Sequence, residues 1–263
     1  MPDMKKHQPG MLCWADLATT DARGAKKFYG SLFGWEFDDQ PIPGDGVYSM
    51  ALLRGRSVAA LSAMPPEPKS KGVPPHWNAY IAVKDLKKTA AKAKPAGGKL
   101  FAPPMDVMGQ GLMAIVQDPS GALLCLWQPK KHPGAGVALE PNSLVWAELM
   151  TRDPKAARAF YKKVLGWSPK DMEMGEGFVY TVFNVGKKGA VGMMEMPPEL
   201  QKQKMPSSWG VYFAVANAKA TLAKVKKLGG KVLAPLHEAE GVGKFAPLMD
   251  PQGAVFHVLE PEM

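Results

Sequence analysis

Apolar and polar residues follow two different periods near the start of the chain. The run from Leu12 to Ala18 is short and largely apolar, as in a buried strand. After the Thr-Thr-Asp stretch that follows, apolar residues return at helical spacing until Gly34. The helical positions are Ala25, Phe28, Tyr29 and Leu32. This pattern predicts a strand, a helix capped at its start by a polar side chain, and a glycine stop.

A second segment follows the same plan. It predicts a strand over residues 78–83 and then a helix that begins near residue 85 and stops at Gly97 and Gly98. Short strand candidates, separated by proline and glycine, come after each of the two helices. A strand, a helix and three further strands, occurring twice, predict two βαβββ units in the first half of the chain.

The whole arrangement returns in the second half. Identical residues lie 132 positions apart in a register that needs no insertion. These pairs are Trp14 and Trp146, Tyr29 and Tyr161, Tyr48 and Tyr180, Trp77 and Trp209, and Asp118 and Asp250. Because self-similarity of this kind defines the architecture, we predict an α+β chain of two tandem domains. They cover residues 9–128 and 141–263, and a linker over 129–140, rich in Pro, Gly and charge, joins them.

Composition limits the classes of function. With 46% hydrophobic and 22% charged residues and no long apolar run, the chain is expected to be a cytoplasmic globular protein without a membrane span. The lysines behind its net charge of +9 concentrate in residues 84–94 and 219–231, at helical spacing among apolar residues. We interpret them as solvated helix faces and predict no nucleic-acid partner. Two cysteines, Cys13 and Cys125, read as small apolar strand residues.

The order of the motifs resembles a known family. One series of motifs occurs twice. It begins with a strand and a Thr/Asp cap, followed by FY and by FGW or LGW. A second strand and a helix ending in GG come next, and then DPxG before a last strand. This order resembles the vicinal oxygen chelate superfamily, which includes glyoxalase I, extradiol dioxygenases and bleomycin resistance proteins. The tandem arrangement is similar to two-domain bacterial glyoxalase-like proteins. The resemblance implies two glyoxalase-like domains, each of two βαβββ units forming a curled mixed sheet with a cup.

Period-two alternation predicts which side chains enter the cups, named cup 1 in the first domain and cup 2 in the second. One face of the strands is apolar and suits a covering of helices. On the first strand of each domain, this face is predicted to carry Cys13, Ala15, Leu17, Val145, Ala147 and Leu149. The opposite face mixes aromatic and polar residues, as ligand pockets do. Its members are Trp14, Asp16, Asn78, Tyr80, Cys125 and Trp127 in cup 1, and Trp146, Glu148, Gly210, Tyr212 and His257 in cup 2.

Metal-dependent members of the superfamily place His, Gln or Glu ligands on the first, fourth, fifth and last strands. The resemblance maps these positions onto Trp14, Leu61, Asn78 and Cys125 in cup 1, and Trp146, Met193, Gly210 and His257 in cup 2. Few of these residues can bind a divalent ion. We therefore predict no metal cofactor. The alternative is a divalent metal such as Zn, Ni, Mn or Fe, held by ligands from other loops.

Ionisable residues on the cup faces are the candidates for catalysis. Glu148 with His257, and also Asp16, could transfer protons, since burial beside an indole raises the pKa of a carboxyl group and histidine titrates near neutrality. The alternative interpretation is structural. Carboxylates at strand ends commonly bond to backbone groups or solvent, and a single strand histidine is commonly satisfied within the fold.

Three functions remain open. The first is a protein of the glyoxalase/bleomycin-resistance type that binds a small aromatic or hydrophobic molecule in its cups without a metal. Its ligand contacts would be Trp14, Asn78, Tyr80, Cys125, Trp146 and Tyr212. The second is an enzyme, a glyoxalase-like lyase or a hydroxylase or dioxygenase, that uses Glu148 and His257. The third is a scaffold whose own side chains fill both cups. We expect a monomer with paired domains or a homodimer.

Overall fold

The computed structural model describes residues 7–44, 46–65, 72–175 and 178–262. The first domain consists of two βαβββ units in one mixed sheet, which confirms the predicted fold. The elements of its first unit are β1 (Leu12–Thr19), α1 (Ala22–Phe33), β2 (Glu36–Ile42), β3 (Gly46–Leu53) and β4 (Arg56–Ala63). Those of its second unit are β5 (His76–Ala82), α2 (Leu86–Ala91), a 3₁₀ turn (Lys94–Ala96), β6 (Lys99–Asp106), β7 (Gly111–Gln117) and β8 (Leu123–Pro129).

The second domain repeats this topology with a few additions. The elements of its first unit are β9 (Leu144–Thr151), α3 (Pro154–Leu165), β10 (Ser168–Glu173), β11 (Val179–Val185), β12 (Lys188–Glu195) and the short α4 (Pro198–Lys202). Those of its second unit are β13 (Ser208–Ala214), α5 (Ala218–Lys227), β14 (Lys231–Val232), β15 (His237–Ala239), β16 (Gly243–Met249) and β17 (Val255–Pro261). In the described ranges, no helix has the length and hydropathy needed to cross a membrane.

The strand order explains how two units share one sheet. It is β2-β3-β4-β1-β5-β8-β7-β6 in the first domain and β10-β11-β12-β9-β13-β17-β16-β14 in the second, where β15 pairs beside β16. The first strand of each unit is central: β1 pairs with β4 of its own unit in parallel and with β5 of the next unit in antiparallel fashion. The cup faces of both units therefore form one continuous concave surface in each domain.

The repeated segment sets its own helix boundaries. Asp21 and Asp153 each accept a hydrogen bond from the backbone N–H three residues later, at 2.9 Å in both domains. Gly34 and Gly166 end the helices with φ of 71° and 73°, a region that favours glycine. The predicted cap and stop of this segment are therefore confirmed in both copies.

Two crossed hydrogen bonds join the domains. Tyr29 of α1 donates to Asp250 of the second domain at 3.0 Å, and Tyr161 of α3 donates to Asp118 of the first at 3.1 Å. Each tyrosine oxygen also accepts a hydrogen bond at 3.0 Å from a buried indole of its own domain. These indoles belong to Trp77 and Trp209. The FY and DPxG motifs therefore bind each other across the domain boundary.

One apolar core continues from the first domain into the second. Phe213 packs against Trp35 and Trp77, with ring centroids 5.3 and 5.0 Å apart. Trp35 and Trp167 are core residues, and each indole N–H donates at 2.8 Å to a backbone carbonyl just before the first strand of the other domain. The two domains therefore pair with each other within the chain, a point that the sequence left open.

A β-bulge in each domain corrects one predicted face. The pairing of β1 with β5 shifts between Leu12 and Trp14, so Cys13 lies in a buried cluster with Trp14 instead of facing the helices. The pairing of β9 with β13 shifts in the same way, so Leu144 enters the shared core and Val145 lines a cavity beside the linker. The helix-side prediction was wrong for Cys13 and Val145, because a bulge inserts one residue into the strict alternation.

The linker packs against the first domain. The backbone N–H groups of Ala135 and Gly136 donate at 2.8 Å to the carbonyls of Cys13 and Ser57, at the ends of β1 and β4. We name residues 130–137 the strap. It is a folded part of the first domain and not a free tether, whereas the domain boundaries themselves stay a prediction.

Tyr161→Phe tests the crossed hydrogen bonds. The substitution leaves a buried Asp118 oxygen and the Trp209 N–H without their partner, so the free energy of unfolding is expected to fall by about 1–3 kcal/mol. Urea unfolding measures it. Phe101→Leu is the control, since this side chain is 61% exposed, and it should change the value by less than about 0.5 kcal/mol. Equal stability of the two variants would contradict a structural role for the crossed bonds.

Candidate functional site

Cup 1 contains a hydrogen-bond network centred on a carboxylate. The Trp14 indole N–H donates to the Tyr48 hydroxyl at 3.0 Å, and that hydroxyl donates to Asp16 at 3.0 Å. The Asn78 amide and the Tyr80 hydroxyl donate to the same carboxylate at 2.9 and 2.7 Å. Burial raises the pKa of Asp16, and the three donors partly oppose this shift.

Cup 2 repeats the network around a glutamate. The Trp146 indole N–H donates to the Tyr180 hydroxyl at 3.0 Å, and this hydroxyl lies close enough to Glu148 to lower the pKa of its carboxyl group. Tyr212 donates to Glu148 at 3.0 Å from the neighbouring strand. Burial again raises the pKa of the carboxyl group, and the two tyrosines partly oppose the shift. Because burial raises the pKa of Tyr180 and Tyr212 as well, both remain protonated donors.

These networks bring together most of the residues that the sequence proposed for the cups. Trp14, Tyr80 and Cys125 share one buried cluster in cup 1, as their common face predicts. Tyr48 and Tyr180 belong to the networks but were not predicted as site residues. They are one of the identical pairs 132 positions apart, but they lie on β3 and β11, whose faces were not assigned from the sequence.

His257 lies beside the carboxylate network without joining it. Its ring stacks on Tyr212 with centroids 4.3 Å apart and an angle of 15° between the planes. Burial lowers the pKa of His257 to about 4, and its Nδ1 atom is buried without a hydrogen-bond partner. Among the described residues it forms no ion pair with Glu148. It is therefore placed to support Tyr212 and not to exchange a proton with Glu148 directly.

The strap makes the two cups unequal. His132 packs edge-on against Trp14, with ring centroids 4.5 Å apart, and its carbonyl accepts a hydrogen bond from Trp127 at 3.0 Å. Trp14 is only 3% exposed as a result, whereas its counterpart Trp146 is half-buried. A cavity of about 380 Å³ opens beside Trp146 and extends to the strap. No sequence signal identified His132, because its contact depends on how the linker folds back.

The cups do not supply the ligand set of the superfamily's metal centre. Within residues 7–44, 46–65, 72–175 and 178–262, no three His, Cys, Asp or Glu side chains lie close enough to hold one ion. In cup 2 the space that a ligand at position 210 would need is filled by His257, since a Cβ there would lie 2.7 Å from the ring. Cup 2 therefore offers two possible metal ligands, Glu148 and His257, on different strands. A catalytic zinc site has three protein ligands.

Two half-buried histidines, His132 and His257, predict how stability depends on pH. Burial lowers the pKa of His132 and of His257 to about 4, so between pH 4 and 6.5 the unfolded chain binds more protons than the folded protein. Stability therefore falls as the pH drops through this window, by about 2 kcal/mol per histidine between pH 7 and pH 5.

Urea unfolding at pH 7 and pH 5 measures this effect. His132→Gln and His257→Gln should each reduce the loss of stability, and the exposed His237→Gln should not. The raised carboxyl pKa values of Asp16 and Glu148 act in the opposite direction, but they are common to all variants. An unchanged loss in both His132→Gln and His257→Gln would contradict the prediction.

Comparison with known proteins identifies the family on sequence. Residues 12–126 and 143–258 each match the family described as the Glyoxalase/Bleomycin resistance protein/Dioxygenase superfamily. The chain is 45% identical over 262 residues to "Putative glyoxylase CFP32" of Mycobacterium tuberculosis, covering 99% of this chain and 98% of that protein. It is 33% identical over 267 residues to "Anthracycline biosynthesis protein DnrV" of Streptomyces peucetius, covering 98% of this chain and 95% of that protein.

Solved structures share the fold at low sequence identity. The 2,3-dioxygenase LapB from Pseudomonas sp. KL28 matches with a TM-score of 0.66 and 14% identity, over 98% of this chain and 94% of that one. The Mn(II)-bound glyoxalase from Novosphingobium aromaticivorans matches with a TM-score of 0.65 and 15% identity, over 96% of this chain and 82% of that one. With two matched domains and relatives along its full length, the chain belongs to the glyoxalase/bleomycin resistance protein/dioxygenase superfamily.

Proposed function

We propose that this protein binds a small planar aromatic or hydrophobic molecule in its cups, mainly in cup 2, without the metal centre of the superfamily. The observation that carries the proposal is the group of Trp146, Tyr180 and Glu148, which are half-buried, above the buried Tyr212 that donates to the carboxylate. The indole of Trp146 and the phenol of Tyr180 present rigid faces to a flat ligand, and the carboxylate of Glu148 orients it.

Further features of cup 2 support an adaptable apolar site. Met150 and Met194 are half-buried, and their strand register places them on the same face as Ser208 and Tyr180. Methionine side chains adjust to irregular ligands because they are flexible and polarisable.

The names of two relatives support the same ligand class. DnrV of Streptomyces peucetius and DauV of Streptomyces sp. (strain C5), each 33% identical to this chain, are named as anthracycline biosynthesis proteins. Anthracyclines are planar, fused-ring aromatic compounds. A flat quinone or related polycyclic compound is therefore the class of ligand with which to begin.

Trp146→Leu tests the site. Equilibrium dialysis with a soluble hydroxyanthraquinone is expected to show saturable binding to the wild type and at least about tenfold weaker binding to the variant, since a stacking surface is lost. Phe101→Leu removes an exposed aromatic ring of the first domain and should leave the affinity unchanged. The proposal fails if no planar aromatic compound binds, or if both variants bind like the wild type.

A second candidate is an enzyme that uses Glu148 as a proton acceptor. The observation in its favour is that this carboxylate has a raised pKa, is half-buried at the cup surface and forms no ion pair among the described residues. The name of CFP32 supports an activity of the glyoxalase type. In this alternative Tyr212 orients the carboxylate, and His257 holds Tyr212 in place.

Metal content and turnover together separate the two candidates. The protein purified without an affinity tag or chelator is expected to carry well below one Zn, Ni, Mn or Fe per chain by plasma mass spectrometry, because only two donors face cup 2. One ion per chain, together with turnover of α-oxo aldehyde–thiol adducts that falls at least about a hundredfold in Glu148→Gln, would establish the enzyme instead.

A further inference from the structure

The carboxylates of the two cups occupy equivalent positions but have different neighbours. Each lies on the central strand of its sheet and is flanked in register by one residue on either side. The flanking residues are Ala60 and Asn78 for Asp16, and Gly192 and Gly210 for Glu148. Side chains beside the carboxylate in cup 1 are thus replaced by glycines in cup 2.

Asp16 has little capacity left for a ligand. A carboxylate offers about four acceptor sites, and Tyr48, Asn78 and Tyr80 each donate to one. The residue is 9% exposed. A molecule in cup 1 would therefore meet a carboxylate that is already bonded and nearly covered.

Glu148 keeps open acceptor sites. Tyr212 donates to it at 3.0 Å and the Tyr180 hydroxyl lies beside it, and Gly210 has no side chain to supply the donor that Asn78 provides in cup 1. The Tyr180 hydroxyl and the His257 ring occupy the spaces above Gly192 and Gly210, but Glu148 is half-buried, so part of it is exposed in cup 2 with its remaining acceptor sites. A ligand donor can reach them without displacing a protein group.

Gly210 and His257 depend on each other. A Cβ at position 210 would lie 2.7 Å from Cε1 and 3.0 Å from Nδ1 of the His257 ring, so a larger residue cannot coexist with the ring in its present position. The equivalent pair in cup 1 is Asn78 and Cys125. With glycine at position 210 no side chain donates to Glu148 from β13, whereas Asn78 occupies one acceptor site of Asp16.

The charge of the site determines which donor fits. Among the described residues, no Lys, Arg or His forms an ion pair with Glu148. A ligand carboxylate would bring a second anion to a partly desolvated carboxylate, which is unfavourable. A hydroxyl group would instead donate a hydrogen bond to it and keep the ligand neutral.

We propose that Glu148 accepts a hydrogen bond from a hydroxyl group of the ligand, so that cup 2 selects neutral hydroxylated aromatic compounds over their ethers and over aromatic carboxylates. This inference rests on the proposed function, because it names the class of ligand for the same cup. It assigns to Gly210 and His257 the role of specificity-determining residues that keep the acceptor open.

Three matched probes test the inference: a hydroxyanthraquinone with its hydroxyl group away from the carbonyls, its methyl ether, and the corresponding anthraquinone carboxylate. Equilibrium dialysis against the wild type should show the hydroxyl compound binding at least about tenfold more tightly than either of the others, as expected for a hydrogen bond to a charged acceptor. Equal affinities, or tightest binding of the carboxylate, would overturn the inference and leave the proposed function standing. Failure of all three to bind would instead count against the proposed function.

The double variant Gly210→Asn with His257→Cys transfers the residues of cup 1 to cup 2. The new amide should occupy the open acceptor, so the preference for the hydroxyl compound over its ether should disappear while the ether still binds. Glu148→Leu should abolish the same preference by removing the acceptor. Thermal melting verifies that each variant is folded.

Asn78→Gly is the matched control, because it opens the acceptor in cup 1 and leaves cup 2 intact. It should not reduce the preference for the hydroxyl compound. Two outcomes would show that Glu148 does not recognise the hydroxyl group. In the first, the preference persists in both the double variant and Glu148→Leu. In the second, the preference is lost in Asn78→Gly alone.

Discussion

The pairing of the two domains depends on two buried tyrosine hydroxyls. Each hydroxyl of Tyr29 and Tyr161 accepts a hydrogen bond from an indole of its own domain and donates one to an aspartate of the other. In an apolar core an unsatisfied polar group is costly, so these groups bond well only when the domains dock in one orientation. The same docking merges the two apolar faces into one core and leaves both concave faces as cups.

The duplicated scaffold explains how one chain carries two different sites. Residues that hold the domains together, the FY tyrosines and the DPxG aspartates, are identical in both copies. The cup residues repeat only in part: the tryptophan and both tyrosines are kept, whereas Asp16, Asn78 and Cys125 become Glu148, Gly210 and His257. Because a strand face is exposed to the cup independently of the shared core, it can change without disturbing the docking. The strap increases the difference, since it covers Trp14 and leaves Trp146 half-buried.

The chemistry of cup 2 follows from a carboxylate held by neutral donors. Tyr180 and Tyr212 orient Glu148 without neutralising it, no side chain donates to it from position 210, and it is only half-buried at the cup surface. Such a group can accept a hydrogen bond from a ligand or a proton from a substrate, and these two uses need the same geometry. The superfamily fold accommodates both, so function is decided by the identity of a few cup residues.

The sequence by itself determined the tandem repeat, the βαβββ units, the helix caps and the faces of most strands. These features depend on local spacing: the constant offset of 132, the helical recurrence of apolar residues, and the alternation that put Trp14, Tyr80 and Cys125 together. The exposed, polar β2 and β10 were not among the strands named in advance, because they bury no periodic apolar face.

The tertiary structure alone decided the bulges at Cys13 and Val145, the crossed Tyr–Asp bonds, the return of the strap over Trp14 and the partners of Glu148. Each of these depends on which distant groups satisfy a buried polar atom or fill a buried space. Such choices are made between segments that are far apart in the chain, so no local pattern of residues records them.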